Sequence, residues 1–322
     1  MHRLLPLFLA TVLLAVPGLT ADQWVKGCTH AHTTHSDGDA SPEAAAAWYK
    51  AHGYGFLFIT DHGTRTDPAE CAAVVDDSFI VIGGEEVNTN VGPRPVHANG
   101  LGLSQTVPSG TGTTAVEVLR SHIANITGAG GIVQVNHPNW RQGLDYGDLL
   151  QVDGYPLLEI HNLGCDDAGD YARPSTEQLW DILLSAGKRV YGVATDDTHH
   201  YAPDSKATDS IPGQGWVVAR VPRLTAEAVL RALKTGDFYS SNGVELADVT
   251  YGRRHLRVTV RPAAGETYRI LFIGQHGQIL REETTTRAIY RLSGQPGEAY
   301  VRAKVISGKG KVAWTQPVWW GR

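Results

Sequence analysis

Residues Gly27 to Gly38 read GCTHAHTTHSDG, and the reading of this stretch decides the fold. His30 and His32 are alternate residues, so on an extended strand their imidazoles project from one face, with Asp37 following in the loop at the strand's end. Imidazole is a common ligand for zinc, iron, nickel and copper, and a carboxylate adds the charge that holds divalent ions, manganese included. Histidine and acid recur further along the chain, as Thr60-Asp61-His62, Gly84-Glu85-Glu86, Val96-His97, Asn136-His137-Pro138 and Asp196-Asp197-Thr198-His199. Most of these follow a short apolar run, which places them at the ends of buried strands.

Between those points the chain alternates strand and helix. Ser41-Pro42-Glu43 is an N-cap followed by proline at the first helical position, and Gly53 ends that helix before the apolar strand Phe56 to Ile59. Phe79 to Ile82 is a second buried strand, His97 to Leu101 a third, and Thr114-Ala115-Val116-Glu117 opens a helix with a capping box. Ile132 to Val135 delivers His137, and Leu157 to His161 is another strand. Ser175 caps a helix ending at Gly187, Val190 to Ala194 leads to Asp197 and His199, and a last helix spans Thr225 to Lys234. Alternation of this kind predicts a parallel α/β barrel with its site at the strand C-termini. From Val244 the runs become β-branched and alternating, as in Leu256 to Val260, Tyr268 to Ile273 and Tyr300 to Val305, which predicts a small β-sandwich. Only His255 and His276 of the 14 histidines lie in this part, so the chemistry belongs to the barrel.

The ordered set H-x-H, D-G, T-D-H, G-x-E, H, N-H-P and D-x-H resembles the polymerase and histidinol phosphatase (PHP) superfamily, over about residues 26 to 243. Within it the chain is similar to the exported metallohydrolases related to carbaryl hydrolase. The resemblance implies a distorted barrel of seven β/α units; with the N-terminal leader and the β-rich runs read from the residues, this gives a signal peptide over 1–21, a barrel over 22–243 and a sandwich over 244–322. It implies two or three divalent ions (manganese, zinc or iron) held by His30, His32, Asp37, His62, Glu86, His97, His137, Asp197 and His199. The first ion would take His30, His32, Glu86 and Asp197, the second Glu86, His97 and His137, and the third Asp37, His62 and His199. Glu86, Asp197 and His199 would act on the reaction itself, a hydrolysis by metal-activated water. The family often has histidine where this chain has Asp37, and a harder ligand tilts that site towards manganese or iron.

Strand parity separates Glu86 from Glu85: Glu86 shares a face with Gly84 and Asn88, Glu85 with buried Val87. Arg141, soon after His137, is the candidate for gripping a phosphate or carboxylate. Asp61 either orients a ring or is a loop carboxylate, and His161 either faces the site or sits in the core. His35 and His200 read as exposed loop residues, His52 and His122 as solvated helical ones. Cys28 reads as a buried thiol or a soft ligand, and Cys165 as a small loop residue; three cysteines form no paired framework.

The N-terminal MHRLLPLFLATVLLAVPGLTA has the basic start, apolar core and small final residue of a secretory signal, which predicts a periplasmic or secreted protein with no membrane attachment after cleavage at Ala21. A net charge of −5 leaves no basic footprint for nucleic acid, so the expected partner is a small-molecule substrate, and no partner protein is indicated. Three functions follow as expectations: a phosphoesterase acting on small phosphomonoesters or phosphodiesters, an amide, carbamate or ester hydrolase, and a non-catalytic binding protein.

Overall fold

The computed structural model describes residues 22–165, 173–202 and 210–321; the expected signal peptide and most of the loop 202–214 lie outside the described residues. In chain order the strands and helices of the first part are β1 (Gln23–Cys28), α1 (Pro42–Ala51), β2 (Phe56–Ile59), β3 (Ile80–Val91), β4 (Arg94–Leu101), α2 (Ala115–Gly128), β5 (Ile132–Val135), α3 (Tyr146–Leu150), β6 (Leu157–Asn162), α4 (Thr176–Ser185), β7 (Tyr191–Thr195), β8 (Trp216–Val221), α5 (Ala226–Thr235) and β9 (Phe238–Ser241). The remainder is all β: β10 (Leu246–Tyr251), β11 (His255–Val260), β12 (Tyr268–Ile273), β13 (Ile279–Thr284), β14 (Arg287–Arg291), β15 (Tyr300–Ser307), β16 (Val312–Thr315) and β17 (Val318–Trp319).

The helices start where their caps dictate. Ser41 accepts from the Ala44 amide, and Thr114–Glu117 and Ser175–Gln178 form reciprocal capping boxes. Their apolar faces pack on the sheet, with Leu119 and Ile126 of α2 and Trp180 of α4 wholly buried. Each such side chain contributes about 1.5–3 kcal/mol of burial.

A mixed α/β architecture is present, but the closed parallel barrel is not. The main sheet runs as an open path, β13-β12-β15-β16-β9-β8-β1-β2-β3-β4-β5-β6-β7. Pairings β1–β2, β2–β3, β5–β6 and β6–β7 are parallel, whereas β3–β4, β4–β5 and β1–β8 are antiparallel. The reason lies in the connection: β3 does not stop at Ile82 but continues to Val91 and turns back through Gly92-Pro93, and so short a turn can join only antiparallel neighbours. Among the described residues β1 and β7 share no ladder; a single bridge, Ala31 with Thr198, joins the loops that follow them.

The three-stranded sheet β10-β11-β14 packs on the far arm of the main sheet through a second core containing Val249, Leu256, Val258, Ile270, Phe272 and Val301. This β-rich part also returns to the first. Strand β16 pairs with β9, and Tyr300, Trp314 and Trp319 belong to the same apolar core as the helices and strands before Gly243. Arg302, wholly buried, donates to Asp181 of α4 at 2.8 and 2.6 Å and lies 3.0 Å from Glu177.

Candidate metal centre

Strand C-termini converge on one point. The loop after β1 carries His30 and His32, the middle of β3 carries Glu86, and the loop after β7 carries Asp197 and His199. His30 Nε2 lies 3.1 Å from His32 Nε2, 3.1 Å from Glu86 Oε2 and 3.2 Å from Asp197 Oδ1. His32 Nε2 lies 3.2 Å from the same Glu86 oxygen and 3.1 Å from the same Asp197 oxygen. These are five of the six edges of a tetrahedron. The centre of a regular one with such edges is about 1.9 Å from each vertex, close to the 2.0–2.1 Å of a zinc–imidazole bond. All four residues are buried, and among the described residues Asp197 Oδ1 has no hydrogen-bond partner. Two imidazole nitrogens and two carboxylate oxygens meeting at these distances in a buried site fit a divalent ion.

Glu86 reaches further than this cage. Its Oε2 is also 3.2 Å from His62 Nδ1, and its Oε1 is 3.1 Å from His97 Nδ1 and 3.2 Å from His137 Nε2. Glu85, by contrast, turns away to accept the Val107 amide at 2.9 Å. Asp37 lies 3.4 Å from His199 Nε2, 3.7 Å from His62 Nε2 and 3.6 Å from His32 Nδ1. The donors therefore gather as His30/His32/Glu86/Asp197, His62/Glu86/His97, His32/Asp37/His62/His199 and His137/Cys165/Asp197. His97 and His137 both lie against Glu86 Oε1, and His62 joins them from the other side because its two ring nitrogens face opposite ways, one to Glu86 Oε2 and one to Asp37.

Burial pushes the Glu86 carboxyl up, but the imidazoles of His30, His62, His97 and His137 outweigh it and hold the group well below the usual range. For His32, burial lowers the pKa, and Asp197 and Glu86 overturn this to raise it to about 9. Protons and divalent ions would compete for these same nitrogen and oxygen atoms, so metal binding at this centre would depend on pH. Two of the converging residues are held in left-handed backbone, His137 at φ 21° and Asp197 at φ 49°, strain of the sort retained at sites that the surrounding structure over-determines.

Several supporting residues were not singled out in the sequence. Glu159 on β6 accepts His30 Nδ1–H at 2.6 Å, the His137 amide at 2.7 Å, Thr195 Oγ1 at 2.9 Å, and Gln134 and Asn162 at 3.1 Å each. It fixes the tautomer of His30 so that Nε2 presents a lone pair to the cage. Asn136 donates to Glu86 Oε1 at 2.8 Å. Cys165 is no mere loop filler, since its buried thiol lies 3.4 Å from Asp197 Oδ2. The available signal for Glu159 was a lone acid inside an apolar strand, Leu157-Leu158-Glu159-Ile160.

Asp61 touches no ring but clamps the loop after His32, accepting Thr33 N at 2.7 Å, Ser36 Oγ at 2.8 Å and Thr66 Oγ1 at 2.5 Å. His161 stacks on Trp314, away from the centre, and Cys28 is a buried thiol donating to the His30 carbonyl. His35 and His200 are both exposed, as expected of loop residues; His35 also bonds Thr66, and His200 lines the cleft. His52 stacks on Trp48 and is exposed. His122 is not solvated: it is fully buried, Nδ1 accepting the Gly110 amide and Nε2–H donating to Val96 O. Arg141 is exposed, with its guanidinium 4.7 Å above the Trp140 ring.

The centre forms the floor of a cleft of about 320 Å³ whose walls include Trp140, Cys165, His199 and His200. The fold is similar to that of a two-domain protein containing a predicted PHP-like metal-dependent phosphoesterase from Bacteroides vulgatus, at 15% identity and a TM-score of 0.54, covering 91% of this chain and 92% of that one. An amidohydrolase from Chromobacterium violaceum matches at 18% identity and a TM-score of 0.42, over 55% of this chain and 89% of that one. No family model matches the chain, and no curated protein does.

Proposed function

We propose that the protein is a metal-dependent hydrolase, and specifically a phosphoesterase acting on small phosphomonoesters or phosphodiesters. The observation that carries this reading is the cage of His30, His32, Glu86 and Asp197 on the floor of an open cleft, with Glu86 in reach of five imidazoles. Divalent ions held there, whether manganese, zinc or iron, would polarise the ester and activate water. Hydrolysis then forms a bond from the water oxygen to phosphorus and breaks the bond to the leaving oxygen, which departs with a proton. The chain's own part is placement. Glu159 orients His30, the His199 Nδ1–H donates to the Asp197 carbonyl at 2.8 Å so that Nε2 faces the cleft, and Arg141 offers its guanidinium at the rim.

Carbonyl chemistry is the second reading, favoured by the Trp140 indole, whose ring lies 5.6 Å from that of His97 and 5.3 Å from that of His137 and offers an aryl carbamate or ester an apolar wall. It corresponds to the carbaryl-hydrolase resemblance. We further propose export to the periplasm or medium with loss of residues 1–21, a catalytic part over 22–243, and a β-sandwich over 244–322 that braces it. The described residues contain no helix long and apolar enough to cross a membrane.

Metal analysis of purified protein, followed by paired assays on p-nitrophenyl phosphate, bis-p-nitrophenyl phosphate and p-nitrophenyl acetate, tests the reading. Phosphate turnover that disappears with chelation is expected. Turnover of the acetate alone would transfer the assignment to carbonyl hydrolysis, and stoichiometric metal with no turnover of any ester would favour a binding role.

A further inference from the structure

The strand that supplies Glu86 continues beyond the metal centre. Glu86, Asn88 and Asn90 are alternate residues of β3, so their side chains project from one face, and at about 3.4 Å per residue the stripe extends roughly 13 Å outward. It leads into a second cavity, of about 400 Å³, on whose outer wall are Asn88, Asn90 and Arg141. Asp37, His62, His97 and Trp140 line both cavities, so the two share a wall.

The outer cavity is open to solvent and mechanically braced. Among the described residues the Asn88 and Asn90 amides have no hydrogen-bond partner and Arg141 has no ion pair. Arg141 and Gln142 are held at φ 46° and 56°, a conformation disfavoured for both residue types. Arg94 maintains it by donating from Nε to the Gln142 carbonyl at 3.3 Å and the Gly143 carbonyl at 3.1 Å. Gly143 is required there, because a Cβ would stand 2.3 Å from the Pro95 carbonyl oxygen. The loop bearing Arg141 is thereby fastened to the β3–β4 hairpin that bears the asparagines, and its guanidinium is pre-positioned on Trp140.

We infer that this second cavity is a subsite for the leaving group, and that the substrate is a two-part molecule: an ester at the metal centre joined to a hydroxylated chain or ring that ends in a second negative charge. Side-chain amides both donate to and accept from hydroxyls. A guanidinium without a carboxylate partner matches a phosphate or carboxylate in bidentate fashion. The single carboxylate lining the cavity, Asp37, stands on the shared wall and faces His199 and His62, so the outer end repels no anion. The inference rests on the phosphoesterase reading above.

The test is a matched set of phosphate esters given to the metal-loaded protein: phenyl phosphate, glucitol 6-phosphate, 6-phosphogluconate and glucitol 1,6-bisphosphate. We expect kcat/KM to rise from phenyl phosphate to glucitol 6-phosphate, and about tenfold more for whichever probe with a second anionic group fits, carboxylate or phosphate, chiefly through KM. In Arg141→Ala the preference for the second anion should collapse, with partial recovery in Arg141→Lys. In Asn90→Ala the preference for the hydroxylated chain should fall. Equal kcat/KM for all four esters in the wild type would overturn the inference and leave the phosphoesterase reading standing. No turnover of any of them by fully loaded protein would overturn that reading, and the inference with it.

Discussion

Replacing Glu159 by glutamine should weaken metal binding without unfolding the protein. The carboxylate is fully buried and accepts five hydrogen bonds, three at Oε1 (His30, Gln134, Thr195) and two at Oε2 (His137 N, Asn162). Glutamine keeps the shape but has one acceptor oxygen and one amino group. Whichever way it is turned, that amino group meets at least two donors: the His137 amide and Asn162 in one orientation, or His30, Gln134 and Thr195 in the other. His30 also loses the negative charge that secures its Nδ1 proton and thus its lone pair at Nε2. Such partners behind a ligating histidine are worth about 10–100-fold in metal affinity, or roughly 1.4–2.7 kcal/mol. Competition of zinc or manganese against a chromophoric chelator reads the affinity, and circular dichroism checks the fold. A folded Glu159→Gln protein with affinity within about threefold of wild type would refute the claim that His30 is a ligand oriented from behind.

Other predictions concern the surrounding fold. Burial lowers the His122 pKa from 6.5 to about 4, although the bond to the Val96 carbonyl acts the other way. The neutral ring therefore contributes stability above pH 6.5 that is lost as pH falls through about 4, at most about 3 kcal/mol; the difference in urea stability between wild type and His122→Asn should shrink between pH 7 and 4.5 by a comparable amount. Arg302→Ala leaves Asp181 buried beside Tyr300 with no cation in contact, and should reduce urea stability by about 3–5 kcal/mol. A truncate ending at Gly243 removes β16, one of the two partners of β9, and uncovers the core beneath Trp314 and Trp319; insoluble expression is expected, and a monomeric, folded truncate would contradict it.

The legible parts of this chain were those governed by local chemistry. Ser41, Thr114 and Ser175 announced their helices because a cap needs only its own next three residues. The HxH pair and the histidines at strand ends were readable because strand parity and a flanking apolar run place a side chain without knowledge of the fold. Gly83-Gly84 misled, being read as the end of a strand. In fact they lie inside β3, where a Cβ would stand 2.6 Å from the Leu103 carbonyl oxygen at Gly83 and 2.9 Å from Thr60 Cγ2 at Gly84. That error concealed the hairpin and with it the open, mixed sheet. Glu159 was legible only as a lone acid in an apolar strand: it meets His30 across 129 residues of chain, so its partner cannot be read from its neighbours. His122 was misjudged because a helix face shows its burial only once the sheet beneath it is known.

If Glu86 is the carboxylate on which a multinuclear metal centre is assembled, its loss must show in the metal content per chain. Wild type, Glu86→Gln and Glu85→Gln, each purified after manganese or zinc loading and dialysis, would be compared by elemental analysis. The account predicts more than one equivalent in wild type, a similar content in Glu85→Gln, and the loss of more than one ion in Glu86→Gln. Metal-free wild type after loading, or damage to Glu85→Gln equal to that of Glu86→Gln, would contradict it.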